Sequence, residues 1–459
     1  MVAGERGRKP DRSHGNRNLT HPWTDDWIEK PLPYRLDSSY WFEKIRHLPW
    51  PVLLGSGNPA DEKGCDIVTA DPVATVTTRL GSSKVRHKHR SFVSNEDPFD
   101  TLQQLLEEES PDSLPKGWEG FIGGALGYFA YDLGRCIESL PQQAARDIDL
   151  PEMRVGIYHW LIVTDHRIGH TVVRFSPGCS DEERQRVLRY LAVTATQSSD
   201  IFRLTSSLDC NFNELAYADA ISKLLHYIRA GDCYQANLAQ RFSAGYEGDP
   251  WSLFQRLDRQ MKAPYSAYLE FEGDRVVCLS PERFLTVTNG QVITQPIKGT
   301  RPRGCNAEED RRLADELIHS EKDRAENLMI VDLLRHDLGK SCITGSVGVP
   351  SLFQLHSYAN VHHLVSTVTG TLAPDRRPLD LLKGCFPGGS ISGAPKIRAM
   401  QIIDELEPQQ RSVYSGSIGY IGFNGDMDTN IAIRTLLCHN DRVHCWGGGG
   451  IVLCPGASR

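Results

Sequence analysis

Two Asn-Gly pairs, Asn289-Gly290 and Asn424-Gly425, constrain this chain more than any other local feature. Asn-Gly supplies the positive-φ residues of a type I′ turn, and that turn joins neighbouring antiparallel strands. Both pairs lie between β-rich runs, so a hairpin is predicted at each. Helices are expected at about 308–338 and 395–406, between the hairpins. Strands and helices therefore mix without a βαβ rhythm, which predicts an α+β fold with large antiparallel sheets rather than a doubly wound one.

Folded sequence is expected to begin near Trp27. From there to about Asp200, runs such as "GIYHWLIV" and "VVRF" alternate with turns and two helices, the second opened by a Ser180-x-x-Glu183 capping box. The broken polar stretch 195–209 is the expected seam, dividing an N-terminal region, 23–200, from a C-terminal one, 205–459. Beyond it Tyr217, Ile221, Leu224, Leu225 and Ile228 recur at helical spacing, with Gly231 at the C′ position. Residues 1–22 are basic, polar and almost without apolar side chains, so they imply a disordered tail or a start placed upstream of the natural one.

The net charge of −7 argues against general nucleic-acid binding and attraction to anionic membranes. No apolar run approaches the ~18 residues of a membrane span. Twelve cysteines are spread singly from Cys65 to Cys454 without a Cys-x-x-Cys, which reads as reduced thiols in a cytoplasmic protein.

Four stretches could carry chemistry. In "QPIKGTRPRG", Lys298 is followed closely by Arg301 and Arg303. Bringing a lysine from a pKa of ~10.4 to ~7.5 takes roughly 4 kcal/mol, from burial or from neighbouring cations. Spacing alone leaves open whether Lys298 is such an amine or a solvated strand end. Glu282 lies across the first hairpin, where an ideal two-residue turn opposes 282 to 297 and turns Glu282 and Lys298 to opposite faces. A bulge is predicted, with Pro296 as its cause. Asp323 and Glu326 stand three apart on a helix and suit Mg²⁺, or equally a solvated acidic face.

The third stretch, "FPGGSISGAPKIRAM", runs from a glycine-rich loop into a helix with Pro395 expected at N1, which is either an anion seat or a plain junction. In the fourth, "DMDTNIAIRTLL", strand alternation places Arg434 with Asp428, Asn430 and Ala432, as a carboxylate clamp or a structural ion pair. The "WGGGGIV" that follows supplies backbone a ligand can approach closely.

The wording and order of "GDCYQANLAQRF", "LSPERFL", "PIKGTRPRG", "KDRAENLMIVDLLRHDLG", "VHHLVSTVTG", "GGSISGAPKIRAM", "YSGSIGYIGFNGDMDTNIAIRTL" and "GGGGIV" resemble the chorismate-utilising enzymes over Trp27 to Val452. That family includes component I of anthranilate synthase and of aminodeoxychorismate synthase, and the isochorismate and salicylate synthases. The resemblance implies sheets packed as a sandwich flanked by helices. It also implies a branch: alanine in the Pro-Ile-x-Gly-Thr motif marks anthranilate synthesis, and lysine marks aminodeoxychorismate synthesis for para-aminobenzoate and folate.

By the same resemblance Lys298 is the nucleophile toward chorismate and Glu282 the acid/base. Glu326 with Asp323 would bind Mg²⁺, while Thr300, Tyr414, Arg434, Gly448, Gly449 and Gly450 would hold substrate carboxylate beside the active-site histidine, His363. Ammonia would come from a separate glutamine amidotransferase subunit. Leu53-Leu54-Gly55-Ser56 and Met261-Lys262-Ala263-Pro264-Tyr265 resemble the pieces of a tryptophan pocket. After Val452 the sequence departs from the family into "LCPGASR", where relatives carry an acidic helix that completes the metal site. This departure implies impaired activity, or a non-catalytic chorismate-site protein that binds its partner.

Overall fold

The structure, a computed structural model, describes residues 27–57, 64–87, 90–115, 119–193, 200–358 and 360–453. The expected tail at 1–22 lies outside them, as does the departing segment 453–459 apart from Leu453. Among the described residues, two large sheets of thirteen and twelve strands are built from antiparallel ladders. The expected α+β sandwich is what forms.

Alternation sets the layers. Val52 and Leu54 enter the core between the sheets, while Leu53 turns to the opposite face; Val276 and Cys278 likewise oppose Val277 and Leu279. The inter-sheet core gathers Leu126, Tyr128, Leu269 and Leu437. On the outer face of the larger sheet, helices Ser39–Ile45, Asp181–Ala192 and Pro250–Met261 bury Phe42, Val187 and Phe254. On the smaller sheet, helices Pro98–Glu109, Glu321–Gly339 and Pro378–Cys385 bury Phe99, Ile330 and Leu381. Strands covered on both faces are apolar at nearly every position, which is why "GALGYF" and "MRVGIY" show little alternation.

Strands from before and after the 195–209 stretch share both sheets: Val52–Gly55 pairs with Tyr265–Phe271, and Gly124–Phe129 pairs with Ser417–Gly422. Among the described residues before 200 there are three α-helices rather than two, because Ser39–Ile45 also folds as one. The capping box at Ser180 forms, and Gly231 ends its helix at φ 85°. The helix expected over 308–338 divides into Ala307–His319 and Glu321–Gly339. Ser320 breaks it: its ψ of 105° is not helical, and its hydroxyl accepts the Asp323 N–H. Pro395 sits one residue earlier than N1, as the N-cap of Lys396–Leu406.

The chain crosses between sheets at two adjacent places. After Asp274–Ser280 in the larger sheet, Pro281 and Glu282 lead into Arg283–Thr288 in the smaller one. After Met427–Asn430 in the smaller sheet, residues 431–434 lead back to Thr435–His439 in the larger. The crossings are stitched together, since Ile431 N–H donates to the Glu282 carbonyl at 3.0 Å and Ser280 Oγ to the Ile431 carbonyl at 2.6 Å. Arg434 is therefore not on a regular strand as alternation predicted; it lies at a crossing with φ 50°.

Candidate active site

The hairpin at Asn289-Gly290 forms, with both residues at positive φ, but its ladder runs only from Thr286↔Ile293 to Thr288↔Gln291. Past it, Ile297–Pro302 leaves the hairpin partner and pairs with Val361–Thr371, with a register shift between Ile297 and Thr300. Arg283–Thr288 shifts register against Met427–Asn430 as well. The expected irregularity is present, on the outward pairings rather than within the hairpin. It lets Glu282 and Lys298 interact.

Lys298 Nζ donates to the Ser390 carbonyl at 2.6 Å. Burial pulls the lysine pKa down, and the carboxylates of Glu282 and Glu326 oppose the shift. Of the two causes the sequence left open, burial acts and the neighbouring Arg301 and Arg303 do not. Arg301 pairs with Glu316 at 2.8 Å and Asp323 at 3.2 Å, and Arg303 pairs with Asp310 at 2.7 Å. Glu282 is buried, so its carboxyl pKa is pushed up, against the pull of Lys298, the Ser390 hydroxyl and the Ile297 N–H. Burial thus drives both partners toward their neutral forms, an amine beside a carboxylic acid.

Gly299 follows at φ 87°, and a Cβ there would meet Leu317 Cδ1 at 2.8 Å and Asp323 Cβ at 2.9 Å. The glycine lets the lysine strand lie against the acidic helix. On that helix Glu326 Oε1 is buried without a hydrogen bond, 3.8 Å from Lys322 Nζ. Burial raises its pKa, Lys322 and Lys298 lower it, and Asp323 raises it again. Among the described residues, no three His, Cys, Asp or Glu side chains converge as a metal cluster.

Thr300 Oγ1 and His363 Nδ1 lie 2.9 Å apart. Burial, then the charges of Arg434 and His356, depress the His363 pKa to about 4, so the ring is neutral at pH 7. Arg434 itself is exposed and has no carboxylate partner among the described residues, which removes the structural ion pair as its explanation.

The glycine strand Arg442–Val452 pairs with Gln235–Glu247, setting Gly450 opposite Asn237. Its glycines differ. A Cβ on Gly450 would strike the Gln235 amide at 2.1 Å, and one on Gly448 would meet the Leu238 carbonyl at 2.8 Å. Only Gly449 of the three faces open space. Asn237 links this strand to the lysine, because its Nδ2 donates to the same Ser390 carbonyl at 3.0 Å. Tyr414 is buried and stacks on Trp446 at 5.9 Å, just before the glycines.

The family described as chorismate binding enzyme matches residues 52–454. The chain belongs to the chorismate-binding enzymes. It is 46% identical to aminodeoxychorismate synthase component 1 of Salmonella typhimurium, over 92% of each chain. It is 35% identical to the protein of that name from Bacillus subtilis, again over 92% of each. Among solved structures, anthranilate synthase component I from Streptococcus pneumoniae TIGR4 matches with a TM-score of 0.76 and 32% identity, covering 86% of this chain and 88% of that one.

In this chorismate-binding enzyme the structure links Lys298, Glu282, Glu326, Asp323, Thr300 and His363 through the interactions above, adds Arg434 through its charge on His363, and reaches the glycines through Asn237. Sequence reasoning missed Ser390, whose hydroxyl serves the acid and whose carbonyl serves the amine. A backbone acceptor leaves no signature in residue type. The pieces resembling a tryptophan pocket also meet: Leu53, Gly55, Ser56 and Lys262 line a cavity of about 220 Å³ with Asp66, Phe254 and Asp258.

Proposed function

We propose that this chain aminates chorismate to 4-amino-4-deoxychorismate, as its relatives' name describes, for para-aminobenzoate and folate synthesis. The observation that carries the reading is Lys298, half-buried beside Glu282 with its Nζ held on the Ser390 carbonyl. In its neutral form the amine attacks C2 of chorismate, both ring double bonds shift toward C4, and the C4 hydroxyl leaves as water with a proton from Glu282, which the carboxylate then recovers from the newly bonded nitrogen. Ammonia then adds at C4, both double bonds shift back, and Lys298 departs as the neutral amine, taking through Glu282 a proton that the added ammonia gives up. The net exchange replaces hydroxyl by amino at C4 and releases water. Thr300, neutral His363, Arg434, Tyr414 and the open backbone at Gly449 would bind and orient the substrate carboxylates, so that attack becomes effectively intramolecular.

The unbonded, buried Glu326 oxygen fits a cation, and Asp323 on the same face keeps one oxygen beyond its contact with Arg301. These two would hold Mg²⁺, with substrate and water completing the oxygen set. When bound, the ion supplies positive charge for a substrate carboxylate. Ammonia is assigned to a separate glutamine amidotransferase subunit. Tryptophan is assigned to the cavity beside Phe254, its ammonium toward Asp66 and Asp258. No helix among the described residues is long and apolar enough to cross a membrane, and the eleven described cysteines are free thiols, which supports assignment to the cytoplasm.

The test is incubation of the purified chain with chorismate, ammonium and Mg²⁺, with products separated by chromatography. Aminodeoxychorismate from the wild type, and its loss in Lys298→Ala, supports the proposal. Anthranilate as the main product overturns the branch. A folded chain that binds chorismate and converts none of it supports the non-catalytic reading, and an unchanged rate in Lys298→Ala removes the covalent step.

A further inference from the structure

The Ser390 carbonyl that receives Lys298 belongs to a single 3₁₀ turn, Gly389–Ile391, outside any ladder. Something must fix its direction. Asn237 grips it from one side, and the Asn237 N–H also donates to the Ser392 carbonyl at 2.9 Å. Arg411 grips what lies on both sides. Its Nη1 donates to the Ile391 carbonyl at 3.0 Å, one residue past Ser390, and its Nη2 donates to the Asn237 carbonyl at 2.7 Å.

We propose that Arg411 is a positioning residue for the Lys298 amine, acting through the Ser390 carbonyl; this rests on the function proposed above. The guanidinium is buried and lies between the rings of Tyr131 and Tyr414, at 4.8 and 6.0 Å from their centroids. Glu407 holds it in a two-pronged pair, Nε to Oε2 at 2.9 Å and Nη2 to Oε1 at 2.6 Å. Glu407 Oε1 also accepts the Ala239 N–H at 2.8 Å, on the same strand as Asn237. The backbone carrying Arg411 is fixed in turn. Asp132 accepts the Ser412 N–H at 2.8 Å, Tyr131 N–H donates to the Ser412 carbonyl at 2.9 Å, and Ser412 is held at φ 55°.

A non-glycine residue in that conformation persists only where its surroundings impose it. Four directed hydrogen bonds from one planar group to a carboxylate and two backbone carbonyls form a fork that a lysine does not reproduce. Arg411 reaches the Lys298 amine through the turn it holds.

The test is Arg411→Lys, which keeps the charge and loses the fork. The expected result is a kcat lower by about a hundredfold, the scale for displacing a reacting group by about 1 Å, with KM for chorismate nearly unchanged. Modification of Lys298 by an amine-directed reagent, followed by peptide mass spectrometry at fixed pH, should rise several-fold as its acceptor is lost. Arg154→Lys is the matched control. Arg154 pairs with Asp274 at 2.6 Å between the sheets, away from this turn, and its loss should leave kcat and labelling as in the wild type.

Wild-type kcat and labelling in folded Arg411→Lys would overturn the proposal, as would equal losses in the control. If near-UV circular dichroism shows that Arg411→Lys does not fold, Glu407→Gln decides by the same readouts. Failure of both to fold assigns the pair to the core and overturns the proposal. Labelling does not depend on product, so a chain that makes no aminodeoxychorismate removes the functional reading while the positioning claim is still read.

Discussion

Lys298 stands between two glutamates in unlike surroundings. Glu282 sits where the chain crosses from one sheet to the other, buried, and held by the Ser390 hydroxyl and the Ile297 N–H. Glu326 projects from a helix, with one oxygen unbonded and its ion pair to Lys322 stretched to 3.8 Å. Burial raises the pKa of both. Yet one is fixed by directed donors and suits proton exchange with the amine, while the other is under-coordinated and suits a ligand that arrives from outside. The same side chain takes different work from the donors around it.

The largest effect should come from the fixed flank. Glu282→Gln removes the exchangeable proton and keeps the shape, so kcat is expected to fall by about 10²–10⁴-fold, the usual contribution of a general acid or base. Thermal unfolding should change little, because the amide keeps the shape and burial already disfavours the charged carboxylate. A variant within a few-fold of wild type would place proton transfer elsewhere and erase the contrast between the two glutamates.

The strand paired with that of Lys298 carries buried His363, whose pKa falls from 6.5 to about 4 on folding. Between those values the unfolded chain binds a proton at this position and the folded chain does not. Stability is therefore lost as pH falls through this window, by about 2 to 3 kcal/mol between pH 7 and pH 4.5. His363→Gln should narrow the difference in denaturant-derived stability between those two pH values by that amount. An unchanged difference would mean that the imidazole can turn to a partner or to water and take up the proton.

Glu326→Gln addresses the under-coordinated oxygen itself. The Mg²⁺ concentration giving half-maximal product formation should rise by at least about tenfold, equivalent to ~1.4 kcal/mol, with a smaller change in kcat at saturating Mg²⁺. If kcat falls as in Glu282→Gln while the Mg²⁺ dependence stays, the two glutamates share one task.

Much of this was legible in the sequence because hairpins, caps and motif wording are local. The Asn289-Gly290 turn, the Ser180 box and Gly231 each form where expected, since each depends on one or two residues and their neighbours. Ser320 could have been read too: Ser-Glu-Lys-Asp has the spacing of an N-cap, but the helical periodicity on either side concealed it. Arg434 could not be placed by alternation, because Ile431 and Ile433 keep a strand's rhythm through a segment that changes sheets. The Ser390 carbonyl was invisible for a more basic reason, since every residue carries one and only the fold decides which is aimed at an amine.

Lys322→Ala should have the smallest effect, and it sharpens the contrast most cleanly. The side chain is largely exposed and its contact with Glu326 is long, so stability should move by less than about 0.5 kcal/mol. Removing that ammonium leaves a cation near Glu326 with less repulsion, so the Mg²⁺ requirement should fall by about twofold, an advantage that shrinks as salt screens the charge. An increased requirement would mean that Lys322 orients the carboxylate rather than competing for it. Glu326 would then be held by a directed donor after all, as Glu282 is.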